Sequence, residues 1–438
     1  IASMRSAIYF ASVSAASSAG KIEELIRLVW CRQLYTGVGG PAFGVIGHGR
    51  ANPGEGMELL DVRFELDGTV YRGPAAIHEY ASDWYKHAHH EDPGYDHCVL
   101  NLVVHDDAVI CRADGSVIPN AAIVFPRELA ERYERLLGES GSYRCGALLA
   151  GMPEVKRYNL LTELTCERLE RKYDEFLQRY RQADNNWNEA FYVSLFRAVG
   201  AGSNRESYER LARTVSFTQI CRVRESVASA EALLLGAAGL LEAEPSDDYS
   251  DKLRYEFKHL SRRFGIVPMH RNAWNLRSGR PDQKPVLRIA ELAALLVSGE
   301  FFFSRLVNCK TQRDIRQVFS ASASEYWTTH YCFGQPSGRS VKRFGDMMLD
   351  NLGINLVVPM IFAYGKITGN EELKERAIGI LEEIRAENHI RIVREWKTHG
   401  IAADNAFFSQ GLLELTREYC EKKRCAYCNI GRIVLCSQ

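Results

Sequence analysis

The sequence has no excess of charge of either sign. Its 55 Lys and Arg balance 55 Asp and Glu, so no net field draws the chain onto nucleic acid or acidic lipid, and such binding needs a local patch. It lacks an uninterrupted apolar run of membrane-spanning length. It lacks the cysteine pattern of a disulfide scaffold: the 12 cysteines lie scattered singly except near the C-terminus, which suits a reducing compartment. No fixed-period repeat is present, which excludes a solenoid. "FGQPSGR" has two glycines but neither the Lys-Ser ending nor the strand-to-helix setting of a phosphate loop. There is no Gly-x-Ser-x-Gly elbow, and spacing assembles no Ser-His-Asp triad.

What is present is globular. A hydrophobic content of 46% with 25% charge lies outside the disordered range, and 438 residues imply two or three domains. "MRSAIYFASVSAASSAGK" carries Arg5, a short apolar run and small residues from Ala15 to Ala19, the outline of a weak secretory signal interrupted by serines. The expectation is a poorly anchored N-terminal extension, residues 1–20, on a cytoplasmic protein.

In "KIEELIRLVWCRQLY", Ile22, Leu25, Ile26 and Val29 fall at helical spacing. "LLDVRFELDGTVYRG" then alternates apolar and polar residues up to an Asp67-Gly68 hairpin signal. "CVLNLVVHDDAVICRADGSVI" repeats that grammar, with turns at Asp106-Asp107 and Asp114-Gly115. Pro126 suits the first turn of a helix, and most segments from about 150 to 425 carry helical periodicity. The expected class is α+β: a small, mostly antiparallel sheet domain over 21–140, a larger all-helical domain over 150–419, and a cysteine-rich segment over 420–438.

A set of short strings in fixed order is more specific than any one of them. "GMELLDVRF", "IHEYASDWYKHAHHEDPGYD", "SAEALLLGAAGLL", "RSGRPDQKPVLRIAELAALL", "YWTTHYCFGQPS", "NLVVPMIFAYGK" and "CEKKRCAYCNIG" together resemble the bacterial family called domain of unknown function 2851, from about residue 22 to 433. Family members look like "GPDF" before the first strand and "VEIH" after the hairpin, which is similar to the core of the PD-(D/E)xK nucleases and implies a restriction-endonuclease-like sheet. In that chemistry two carboxylates bind Mg²⁺, which activates water and stabilises charge on the phosphate. This chain departs from the pattern. Glu58 stands in the Asp slot, Ala76 in the Glu slot and His78 in the basic slot, and Asn101 replaces a strand histidine. Glu79 would face away from His78. The resemblance thus implies a relict site of Glu58, Asp61 and His78 that does not use Mg²⁺.

Three further groups are candidates for binding. "RGPAAIHEYASDWYKHAHHEDPGYDH" crowds histidines 78, 87, 89, 90 and 97. It reads either as a transition-metal site of His78, His87 and His89 with Asp83 or Asp92, or as a loop whose polar groups cap turns. Trp84 beside it reads as core. Arg262, Arg263, Arg271, Arg277, Arg280 and Arg288, with Lys284 and Trp274 among them, can neutralise phosphates or pair with carboxylates. Cys420, Cys425 and Cys428 form C-x4-C-x2-C, followed by Cys436, which suits zinc, an iron–sulfur cluster or unliganded thiols. Two functions follow: a nucleic-acid-associated protein with a degenerate, inactive nuclease-like domain, or a non-enzymatic interaction scaffold with a structural metal and a protein partner. Neither involves a membrane.

Overall fold

The computed structural model describes residues 19–40, 42–52, 56–138, 143, 145–200, 202–242, 247–276, 280–299 and 302–436. Nearly all of the expected N-terminal extension, and Arg277, lie outside them. The chain is α+β, with a mixed sheet in its N-terminal part, a helical C-terminal part and 58% helix. It divides into two compact units, Ile1–Pro153 with Leu415–Gln438, and Glu154–Glu414. The cysteine-rich end therefore belongs with the sheet.

The first unit opens with helix α1 (Ala19–Cys31), whose Leu25, Ile26, Val29 and Trp30 are buried. The strands are β1 (Gly37–Val38), β2 (Phe43–Gly47), β3 (Arg50–Ala51), β4 (Leu59–Leu66), β5 (Thr69–Tyr80), β6 (Leu100–His105), β7 (Ile110–Cys111), β8 (Val117–Ile118) and β9 (Asn120–Val124). The main sheet runs β1-β9-β6-β5-β4-β2, with β3 also on β4. Its flanking pairings are antiparallel, but β5–β6 and β6–β9 are parallel. The expectation of a mostly antiparallel sheet thus holds at the flanks and fails in the centre. The reason lies in the connections. Residues 81–99 carry short helix α2 (Asp83–Lys86) and two 3₁₀ turns, and so return the chain for a parallel strand. The second hairpin signal builds β7–β8, a separate ribbon that serves as the crossover into β9.

Both faces of the sheet centre are covered, and successive residues alternate between them. Ala75, Ile77, Leu100, Leu102, Ala121 and Ile123 join one core with α1, with helix α3 (Arg127–Gly138) and with the C-terminal helix Asn429–Cys436. Ala76 and Val103 join a second core with Trp84, Tyr95 and Ile110. At the β4 edge one extra residue forms a bulge between Leu59 and Val62, where Asp61 takes a left-handed φ of 60°. Gly49, at φ 66°, lies over it: a Cβ there would stand 2.2 Å from the Leu60 carbonyl oxygen.

The second unit buries a large helical core. Helix α4 (Glu154–Gln182) crosses α5 (Ala406–Glu414) at Gly411, where the Thr165 hydroxyl donates to the Phe407 carbonyl at 2.8 Å. Beside this crossing Glu414, itself buried, accepts from Arg168 at 3.1 Å and Arg171 at 2.7 Å. A helical stretch, Asp346–Thr368, is long and apolar enough by composition to cross a membrane. Most of it is buried inside this core, as a core helix of a globular domain is.

Gly49 and Gly68 provide a stability test. Both have positive φ, but a Cβ on Gly68 meets nothing within 4 Å. Gly68→Ala should cost about 1 kcal/mol, the left-handed penalty alone. Gly49→Ala should add ~1–3 kcal/mol for the clash with the bulge. Thermal unfolding of the full chain checks this. Equal destabilisation by the two substitutions would contradict the close approach at the bulge.

Candidate functional site

The site builds outward from β5. Its backbone loses a ladder partner where β4 begins at Leu59, and the Glu58 carboxylate takes the place of that partner, accepting from the Ile77 amide at 3.1 Å. Glu58 thus lies against β5 at the residue preceding His78. Burial raises the Glu58 pKa, opposed by the backbone amides and Arg27. Ala76 shares the His78 face and is fully buried. Asp61 does not join them: it is exposed on the bulge, where Arg72 and Arg63 hold it and lower its pKa. Glu79 follows the strand alternation to the other face.

His78 is buried, and its Nδ1 lies 2.7 Å from Asn101 Oδ1. The direction of that bond follows from its neighbours. Asn120 Nδ2 faces two pure acceptors, an Asp106 carboxylate oxygen at 2.6 Å and the Ala108 carbonyl at 2.8 Å. Asn120 Oδ1 therefore accepts from Asn101 Nδ2 at 3.0 Å, and Asn101 Oδ1 accepts in turn. The His78 proton accordingly sits on Nδ1, and the Nε2 lone pair is left available.

His87 and His89 meet His78 by a device that their spacing does not show. A strand would put the two on one face, but no strand forms here. Helix α2 ends at His87, Ala88 takes a left-handed φ of 57°, and a 3₁₀ turn starts at His89. The reversal brings all three rings together, with centroids 5.2 to 5.6 Å apart. Their potential ligand atoms lie within 4.8 Å of one another, the only such group of three or more among the described residues. His89 stacks on Tyr95 at 3.9 Å and meets Trp84 edge-on. Trp84 is fully buried and donates to the Cys111 carbonyl at 3.0 Å, a core role. Burial, and next the other two histidines, push the His89 pKa down to about 4. Burial also lowers that of His78. Asp83 and Asp92 do not join the cluster. Asp83 holds Lys86 at 2.6 Å and the Tyr80 amide at 3.1 Å, and Asp92 caps a turn at the Gly94 amide at 2.8 Å. His90 lies 3.4 Å from Glu91, and His97 is exposed.

One participant was not legible in the sequence. Glu23 on α1 is half-buried, and its pKa is pushed up to about 8 by burial first, then by Glu58, Asp83 and Glu79. Only its acidic character in the first turns of a helix, before a strand with a second acid, could have signalled it.

The other expected sites are placed differently. Cys420, Cys425, Cys428 and Cys436 form no group of three or more converging ligand atoms. Cys428 is buried, Cys436 is exposed, and Gly431 packs its backbone onto the Cys425 carbonyl. In the second unit Arg262, Arg263, Arg271 and Arg280 are exposed. Arg288 is not: it is buried and donates to Glu291 at 2.7 Å, which removes it from the exposed stripe. Trp274 is buried and bonds the Ala238 carbonyl at 2.8 Å.

Residues 23–389 match the family described as "Protein of unknown function (DUF2851)", and the chain belongs to that family. No curated protein and no solved structure matches it.

The buried carboxyl of Glu23 predicts a pH dependence. Its folded pKa of about 8 lies above the ordinary 4.5, so its favourable contribution is complete below pH 4.5 and is lost as pH rises towards 8. Glu23→Gln keeps the neutral form throughout. The variant should therefore gain stability over the parent between about pH 5 and pH 8, on the order of 1–3 kcal/mol. Thermal melts at the two pH values measure it, and a pH-independent gap would show that the carboxyl ionises normally.

Proposed function

We propose that this family member is a nucleic-acid-associated protein whose first unit is a nuclease-like domain that no longer cuts. The observation that carries this reading is the pairing of Glu58 with β5 beside a fully buried Ala76. The order of elements, a helix, antiparallel strands, a crossover and a parallel strand, supports the reading. On this reading the Glu58 carboxylate takes the part of the first metal ligand of a PD-(D/E)xK core. The second ligand position holds a methyl group, and the basic position holds an imidazole tied to Asn101. These residues do not fit Mg²⁺, a hard cation that demands oxygen ligands in near-octahedral geometry.

The exposed Arg262, Arg263, Arg271 and Arg280 of the second unit support a role on phosphates. The neutral overall charge makes them a local patch, not part of a global field. Arg288 and Trp274 are engaged internally and leave that role to the others.

Two assays test the reading on the full chain. With supercoiled, linear and single-stranded DNA in Mg²⁺ or Mn²⁺, no cleavage is expected. Cleavage that disappears in Glu58→Ala would overturn the loss of activity. Binding to labelled DNA or RNA should weaken steeply with salt, and Arg262→Ala/Arg263→Ala should lower the salt slope by about 2. Absence of any binding at low salt would defeat the nucleic-acid role and favour an interaction scaffold.

A further inference from the structure

We propose that His78, His87 and His89 form a three-imidazole site for a first-row divalent transition metal of the zinc class, with its remaining coordination position open. The inference does not rest on the nucleic-acid reading, since it uses only the geometry of the 78–97 segment.

Three features carry it. First, the ligand atoms already lie within 4.8 Å of one another. Two nitrogens each about 2.0 Å from a tetrahedral zinc stand roughly 3.3 Å apart, so small side-chain rotations close the site. His87 is exposed and free to make them.

Second, the donor set is prepared. The Asp106–Asn120–Asn101 chain fixes the proton of His78 on Nδ1 and leaves Nε2 as the nitrogen with a lone pair to offer. A metal-bound imidazole is regularly held in this way, by a hydrogen bond to its other nitrogen that sets the tautomer and ring plane. The relay occupies two asparagines and an aspartate.

Third, the surroundings suit a cation held by neutral ligands. Asp83 acts on His78, and Asp92 on His89, through their charges, although both carboxylates are bonded elsewhere. They supply negative potential without entering the coordination sphere. Nitrogen ligands select against Mg²⁺ and Ca²⁺ and suit zinc, copper, nickel or iron. Three histidines with a fourth position left to water is the arrangement of an open, reactive zinc site, whereas structural sites are closed by four protein ligands.

The test uses the full chain stripped of metal with a chelator. Zn²⁺ is titrated calorimetrically, and Co²⁺ is added as a spectroscopic probe. The parent protein should bind one equivalent, and the cobalt form should show visible bands without a sulfur-to-cobalt charge-transfer band. His87→Ala and His89→Ala, each checked for an unchanged circular dichroism spectrum, should weaken binding more than about a hundredfold, beyond the ten- to hundredfold effect of losing a supporting hydrogen bond. Cys425→Ser/Cys428→Ser should bind like the parent. No binding by the parent chain would overturn the proposal. So would retention of affinity in both histidine variants, or a cobalt spectrum dominated by sulfur that the cysteine variant abolishes.

Discussion

Burial of β5 on both faces is the constraint from which the first unit follows. Ala75 and Ile77 pack towards α1 while Ala76 and His78 pack towards Trp84 and Tyr95, so the strand has no wet side over Ala75–His78. A buried imidazole must then find a partner inside the protein, because an unsatisfied buried polar group costs about 1–3 kcal/mol. Asn101 on the adjacent parallel strand supplies it diagonally, since Asn101 stands opposite Ala76 and His78 opposite Val103. Asn120 on the next strand continues the chain to Asp106. The parallel register of β5, β6 and β9 is what lines these amides up.

The same burial explains the carboxylates at the strand's edge. Glu58 is held because the Ile77 amide would otherwise lack a partner. Glu23 approaches it from α1 and keeps its proton to a higher pH than an exposed glutamate. A nearby divalent cation would invert that behaviour by favouring both ionised forms. Burial raises the pKa of both carboxyls, and the charge of Glu58 adds to the rise at Glu23.

The second unit spends several of its charges internally. Arg168 and Arg171 converge on Glu414, and Arg288 pairs with Glu291 at 2.7 Å. Such pairs add little net stability over an apolar core, but they are strongly destabilising when one partner is removed, because a buried charge is left behind. The Glu414 pairs mark a helix crossing, and the Arg288–Glu291 pair lies within one helix. They also separate structural arginines from the exposed ones that remain for a ligand.

Much of this organisation was legible in the chain. The period of the apolar residues announced α1, β4 and the helical second unit, because backbone periodicity converts directly into burial. The order of the short motifs announced the family. That Glu79 would face away from His78 followed from strand alternation. Tertiary structure decided the rest. Parallel pairing at the centre of the sheet depends on crossovers, which turn signals cannot distinguish from hairpins. The approach of Glu23 to Glu58 joins two elements that no local pattern links. Cys420, Cys425 and Cys428 are close in sequence, yet among the described residues the group of three or more ligand atoms within 4.8 Å is made by histidines. His87 and His89 meet His78 only because Ala88 adopts a left-handed conformation. Residue spacing records what lies on one face of one element. Which faces meet is set by the burial of the whole chain.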